Sequence, residues 1–170
     1  MSKLTSESSE DVLEVLLDCH QRLRQVTALA AGLTSASDAV GTVAAKVLRY
    51  FTVALPLHEE DEEGSLFPRL LEQAPELAPT LAALRADHQL QTEQVEVLVA
   101  LCQQVQSWPE RTGHLVGALA AAGLALQKAW QGHLDSEERD VFPAARRVLS
   151  SEARAAIRGE MRARRARLPQ

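Results

Sequence analysis

One pattern occurs twice in this chain and constrains its fold more than any other feature. His58-Glu59-Glu60-Asp61-Glu62-Glu63-Gly64-Ser65-Leu66-Phe67-Pro68 aligns without gaps with His133-Leu134-Asp135-Ser136-Glu137-Glu138-Arg139-Asp140-Val141-Phe142-Pro143, and both read H-x-x-x-E-E-x-x-x-F-P. On a helix, at about 100° per residue, positions four apart are separated by only some 40°. His58 therefore lies over Glu62 and His133 over Glu137. Each pair is preceded by one more histidine, His20-Gln21 in the first half and His88-Gln89 in the second. A single His/Glu pair at this spacing is a common helix-surface contact. Two such pairs with the same Phe-Pro behind them, each with a further histidine ahead, are not explained that way.

The rest of the chain supplies helices to carry these residues. Over 11–33, Val12, Leu13, Leu16, Leu17, Leu23, Val26 and Leu29 recur at helical spacing, with Ser9 as the expected N-cap. A loop over 34–38 leads to a second helix over 39–66, disturbed at Pro56 and ended or kinked at Phe67-Pro68. A third spans 80–106 after Pro75 and Pro79, and Trp108-Pro109 closes it. A fourth runs over 110–140, stops or bends at Phe142-Pro143 and continues toward Leu149, and a short fifth covers 151–165. Strand alternation is missing throughout.

Four long helices with short links imply an all-α, up-down-up-down four-helix bundle, followed here by a short C-terminal fifth helix. The expected organisation is a flexible N-terminus over 1–10, the bundle over 11–149, and an Arg-rich helix and tail over 150–170. Arg154, Arg158, Arg162, Arg164, Arg165 and Arg167 of that helix are interspersed with Glu152 and Glu160, which reads as a solvated face rather than an anion or partner patch. At 170 residues the fold buries roughly 70% of its unfolded surface and needs no disulfide. Cys19 and Cys102, far apart and in no C-x-x-C, read as buried small hydrophobes.

Antiparallel hairpins related by a pseudo-twofold axis would gather His20, His58, Glu62, His88, His133 and Glu137 at one depth of the bundle. Imidazoles and carboxylates are costly to bury unpaired, and a cation satisfies both. A donor set of nitrogens and carboxylate oxygens without thiolate suits iron, manganese or zinc. Because a carboxylate can bridge two ions, this set describes a dinuclear centre better than one tetrahedral ion. His114 falls about 100° off the stripe of His133 and stands apart.

Other chemistries find little support. The net charge of −5 and 4% aromatic content argue against nucleic acid. The start has no apolar signal region, and the apolar stretch over 115–126 is too short for a bilayer, so the expectation is a cytoplasmic protein without a membrane partner. Ferritin-like bundles place Glu three residues before His, where this chain has Leu17, Leu55, Arg85, Arg111 and Trp130. No H-E-x-x-H or G-x-S-x-G occurs.

Over roughly 11–149 the pattern resembles the hemerythrin-like family, also called the HHE cation-binding domain, whose most specific mark is H-x-x-x-E followed by Phe-Pro. The resemblance implies a bundle holding two non-haem iron ions bridged by carboxylate. By position His20, His58, His88 and His133 would be terminal ligands, Glu62 and Glu137 bridges, and Glu59 a weaker extra candidate. Two departures stand out. Oxygen-carrying members have a second histidine four residues after that of the third helix, where this chain has Thr92; their last pair is H-x-x-x-x-D, where it has His133 and Glu137 followed by Glu138. With roughly six positions per ion, two bridging carboxylates, one solvent bridge and two histidines leave about one open on each. The resemblance thus implies binding or sensing of O2, related small ligands or iron. The alternatives are a di-iron redox enzyme acting on O2, peroxide or nitric oxide, and a partner-binding bundle with structural metal.

Overall fold

A computed structural model describes residues 11–34 and 39–168, and every regular element among them is helical. α1 (Val12–Ala31) begins at Asp11, whose carboxylate accepts the Leu13 N–H at 3.0 Å and so satisfies a donor that the helix leaves free. The cap expected at Ser9, the flexible stretch expected over 1–10 and most of the loop expected over 34–38 lie outside the described residues.

The second helix does not end at Phe67-Pro68. α2 (Val40–Arg49), α3 (Leu55–Asp61) and α4 (Phe67–Gln73) follow one another end to end, joined by π turns at Tyr50–Ala54 and Glu62–Leu66. After α5 (Ala78–Ser107), α6 (Thr112–Ser136) continues in the same way into α7 (Phe142–Val148) through a π turn at Glu137–Val141. Each π turn closes just ahead of a proline: Leu55 N–H bonds Tyr50 O, Phe67 N–H bonds Glu62 O and Phe142 N–H bonds Glu137 O, ahead of Pro56, Pro68 and Pro143. Proline has no N–H, and its ring collides with the carbonyl four residues back. Taking one extra residue into the turn removes the collision and lets the helix pass.

The π turns also set what faces inward. At about 100° per residue, Glu62 and Phe67 would point roughly 140° apart; with the wider turn between them both are fully buried. Glu137 and Phe142 repeat the arrangement.

The long helices pack as a bundle, α1 on α6, α6 on α5, α5 on α2 and α2 on α1. Their apolar stripes form two clusters. One contains Leu23, Phe51, Leu98, Leu126, Trp130 and Leu134; the other contains Leu13, Leu16, Phe67, Leu84 and Phe142 and is closed by Ile157 and Met161 of α8 (Ser151–Ala166). Each fully buried Leu or Phe contributes roughly 1.5–3 kcal/mol. Along α1 His20 falls between Leu16 of one cluster and Leu23 of the other, and along α5 His88 falls between Leu84 and Leu98. A polar layer is thereby sandwiched between two apolar cores.

The Arg-rich helix differs from the expected solvated face. Arg164 Nη1 and Arg165 Nη2 reach the buried Asp61 carboxylate at 2.9 and 2.7 Å, and Arg69 pairs with Glu160 at 2.7 Å. These pairings hold α8 against the helix that carries His58 and Glu62. Cys102 is buried as expected, whereas Cys19 is only partly covered. Among the described residues the run Val40–Gln73, not 115–126, is the one long and apolar enough to cross a bilayer by length and composition. Its large side chains Val47, Phe51 and Leu55 enter the core, while it exposes Gly41, Thr42, Lys46, Arg49 and Thr52, the pattern of a bundle helix.

Gly123 of α6 marks a close approach of α1: a Cβ there would meet the Ala30 Cβ at 2.6 Å and the Ala31 N at 2.7 Å, whereas one at Gly117 meets nothing within 4 Å. Gly123→Ala is expected to destabilise the fold by about 1–3 kcal/mol and Gly117→Ala to stabilise it by about 0.5–1 kcal/mol. Thermal unfolding of the two variants checks the opposite signs.

Candidate metal centre

The six residues singled out by the repeat converge. His20 from α1, His58 and Glu62 from the α3 segment, His88 from α5, and His133 and Glu137 from α6 and its π turn lie in one layer; all six are buried, none more than 5% exposed. The Nε2 atoms of all four imidazoles face the two carboxylates. His20 Nε2 lies 3.1 Å from Glu137 Oε2 and 3.8 Å from Glu62 Oε1, and His58 Nε2 lies 3.3 Å from Glu62 Oε1. On the other side His88 Nε2 is 3.7 Å from Glu62 Oε2, and His133 Nε2 is 3.4 Å from Glu137 Oε2.

Two donor groups result, His20 with His58, Glu62 and Glu137, and Glu62 with His88 and His133; within each, the donor atoms lie no more than 4.8 Å apart. Glu62 belongs to both and turns a different oxygen to each. The His88 and His133 Nε2 atoms face one another at 3.1 Å, close to the roughly 3 Å that separates neighbouring ligands at right angles on one ion with bonds of about 2.1 Å.

The layer is unsatisfied without a cation. Both oxygens of Glu62 and of Glu137, and the Nε2 atoms of His20 and His58, are buried with no hydrogen-bond partner. Leaving such groups unpaired costs several kcal/mol, and native interiors rarely contain a cluster of them. Titration follows the same logic. Burial pushes His58 and His133 below the ordinary histidine range and Glu62 above the carboxylate range, where Glu137 adds repulsion. Burial also disfavours charge on His20, but contacts with Glu137 and Glu62 outweigh it and push that imidazole up to about 10. A bound cation would supply the positive charge that this buried cluster of acids lacks.

A second ring of acids orients the histidines. Glu138 accepts from His20 Nδ1 at 2.8 Å and is itself held by Arg24 at 2.7 Å; Glu63 accepts from His88 Nδ1 at 2.7 Å. Burial would raise Glu138, but Arg24 and His20 hold it below the usual carboxylate range, so it is an ionised acceptor. A proton fixed on Nδ1 leaves Nε2 free to bind metal. Neither Glu138 nor Glu59 belongs to a donor group. Nothing in the sequence separates the second glutamate of each E-E from its charged neighbours except its recurrence in both halves. Aromatic rings wall the layer: Phe142 stacks on His20 at 5.1 Å, and Trp130 lies 4.9 Å from His133 and 5.9 Å from His88. Thr92 bonds the His88 carbonyl at 3.0 Å and offers no further donor, and His114 is exposed.

Buried imidazoles and carboxylates pooled inside a helical bundle define a cation-binding helical protein. The sequence model of the hemerythrin HHE cation-binding domain matches residues 11–145, and the chain belongs to that family. It is also 32% identical over 83 residues to an uncharacterized protein of Haemophilus influenzae, an alignment covering 45% of this chain and 48% of that protein. The chain thus spans about half the length of the curated relative it matches.

Glu138→Ala removes the acceptor that fixes His20 without touching a donor atom. It is expected to weaken metal binding by about 10–100-fold, whereas Glu59→Ala leaves affinity unchanged. Competition with a chelator of known affinity measures both.

Proposed function

We propose that this chain is a non-haem di-iron protein that binds or senses O2, related small ligands or iron, with His20, His58, His88 and His133 as terminal ligands and Glu62 and Glu137 as bridges. The observation that carries the reading is the position of Glu62, one oxygen toward His20 and His58 and the other toward His88. A single ion would use one face of that carboxylate; two ions use both. The nitrogen and carboxylate donors, with no thiolate, suit iron as they suit manganese or zinc, and membership of the hemerythrin HHE family is what favours iron among them. Short links and the order of helix packing support an up-down-up-down four-helix arrangement over 11–149.

When bound, a pair of iron ions supplies reversible binding or reduction of O2 and similar small molecules. The chain's own residues prepare that site. Glu138 and Glu63 hold the His20 and His88 rings in one tautomer, and Phe142 and Trp130 limit the entry of water. One observation favours redox turnover over simple carriage: Thr92, whose hydroxyl donates to the His88 carbonyl, stands where oxygen-carrying members have a fifth imidazole. Consumption of O2, peroxide or nitric oxide with an added electron donor separates turnover from stoichiometric binding.

Metal analysis of protein from iron-replete cells is expected to give about two irons per chain, with absorption in the visible that appears when the reduced protein meets air. Zinc alone with no spectral change, or undiminished iron in the Glu62→Ala/Glu137→Ala double variant, overturns the reading. Metal removal should also destabilise the fold. Ligand at about a hundred times its Kd contributes roughly 2.7 kcal/mol. At this chain length that corresponds to a fall in Tm on the order of 5–10 °C, measured by thermal unfolding with and without chelator.

A further inference from the structure

Beside α1 and α2 lies a cavity of about 460 Å³ that the metal centre does not use. Arg22, Lys46, Arg49 and Arg165 stand around it, and its lining includes no acidic side chain. Arg165 is committed to Asp61 at 2.7 Å. Arg22, Lys46 and Arg49 are exposed and make no ion pair with any described residue. In a chain whose net charge is −5, three cations with no ion pair among the described residues, around one concavity that no acid lines, would concentrate anions there.

The remainder of the wall is apolar, with Tyr50, Val53 and Leu57 among its residues. Tyr50 is a fixed surface: its ring is buried and its hydroxyl donates to the Cys19 carbonyl at 3.3 Å. The volume falls within the range of about 300–1,000 Å³ in which small-molecule sites are found. An inorganic anion would meet the cations and leave the apolar wall wet, whereas a neutral apolar molecule would leave the cations unused.

We propose that this cavity binds a small organic anion, free in solution, with an apolar body against Tyr50, Val53 and Leu57 and a carboxylate or phosphate head among Arg22, Lys46 and Arg49. Guanidinium groups take such heads through paired, charge-assisted hydrogen bonds. A membrane surface is a different partner, and a recessed cavity suits a soluble ligand better than a bilayer.

The test is isothermal titration calorimetry of the metal-loaded full chain with octyl phosphate, octanol, octylamine and inorganic phosphate. Octyl phosphate is expected to bind at one site per chain, octylamine not at all, and octanol and inorganic phosphate at least about tenfold more weakly. Arg22→Ala/Arg49→Ala should weaken octyl phosphate by about tenfold or more, with circular dichroism and iron content unchanged, while Arg22→Lys/Arg49→Lys retains most of the affinity. Equal binding of octanol, equal binding of inorganic phosphate, or an alanine pair that binds octyl phosphate as the parent does would each overturn the proposal. So would protein that ignores octyl phosphate yet sediments with phosphatidylglycerol vesicles through the same arginines.

Discussion

Two carboxylates, Glu62 and Glu137, stand side by side in the interior with no hydrogen bond to either oxygen, and the rest of the molecule is arranged around that fact. Close burial of two acids is unfavourable twice over, through lost hydration and mutual repulsion. The surrounding imidazoles reduce the cost only as far as they carry protons, which contact with the two acids favours at His20 and burial disfavours at His58 and His133. Apolar clusters on both sides of the layer keep water out and make any interaction in it strong. Their stability offsets the polar layer, and the polar layer in turn has a use only when a cation fills it.

The backbone delivers these acids by an irregular device. Glu62 and Glu137 each open a π turn, and each turn exists because a proline follows its last hydrogen bond. A regular helix would set Phe67 and Phe142 off the inner stripe, and those phenylalanines are what seals the second core below the layer. The Phe-Pro that follows each His/Glu pair is therefore not incidental to the site. Phe142 goes further and stacks on His20, so that one short segment supplies a candidate bridge, a wall and the turn that aims both.

The helices and the gathering of six His and Glu side chains inside the bundle were legible in the sequence, because helical spacing and a duplicated pattern are local signals. That the helices pass Pro56, Pro68 and Pro143 by widening into π turns was not. A proline announces a disturbance of the hydrogen-bond ladder, and whether the chain bends, stops or widens depends on packing that the segment itself does not encode. The outer acids were hidden for a different reason. Glu59, Glu60, Glu62 and Glu63 look alike in a run of charge, and only the position of α5 shows that Glu63 meets His88. Arg164 and Arg165 read as solvated because their partner Asp61 is distant in sequence.

The two halves share donors and differ in what holds them. In the alignment of the repeats Asp61 corresponds to Ser136, so the two arginines of α8 that grip the first half have no counterpart acid in the second. The second half has its own brace, since Arg24 joins Glu138 at 2.7 Å, whereas the nearest cation to Glu63 is Arg85 at 3.9 Å. His20 is consequently locked by a chain of charged contacts running from Arg24 through Glu138. His88 hangs from a partly exposed glutamate with weaker support. Similar sets of imidazoles and carboxylates thus sit in an asymmetric frame, and the surrounding ion pairs are what set the two halves of the layer apart.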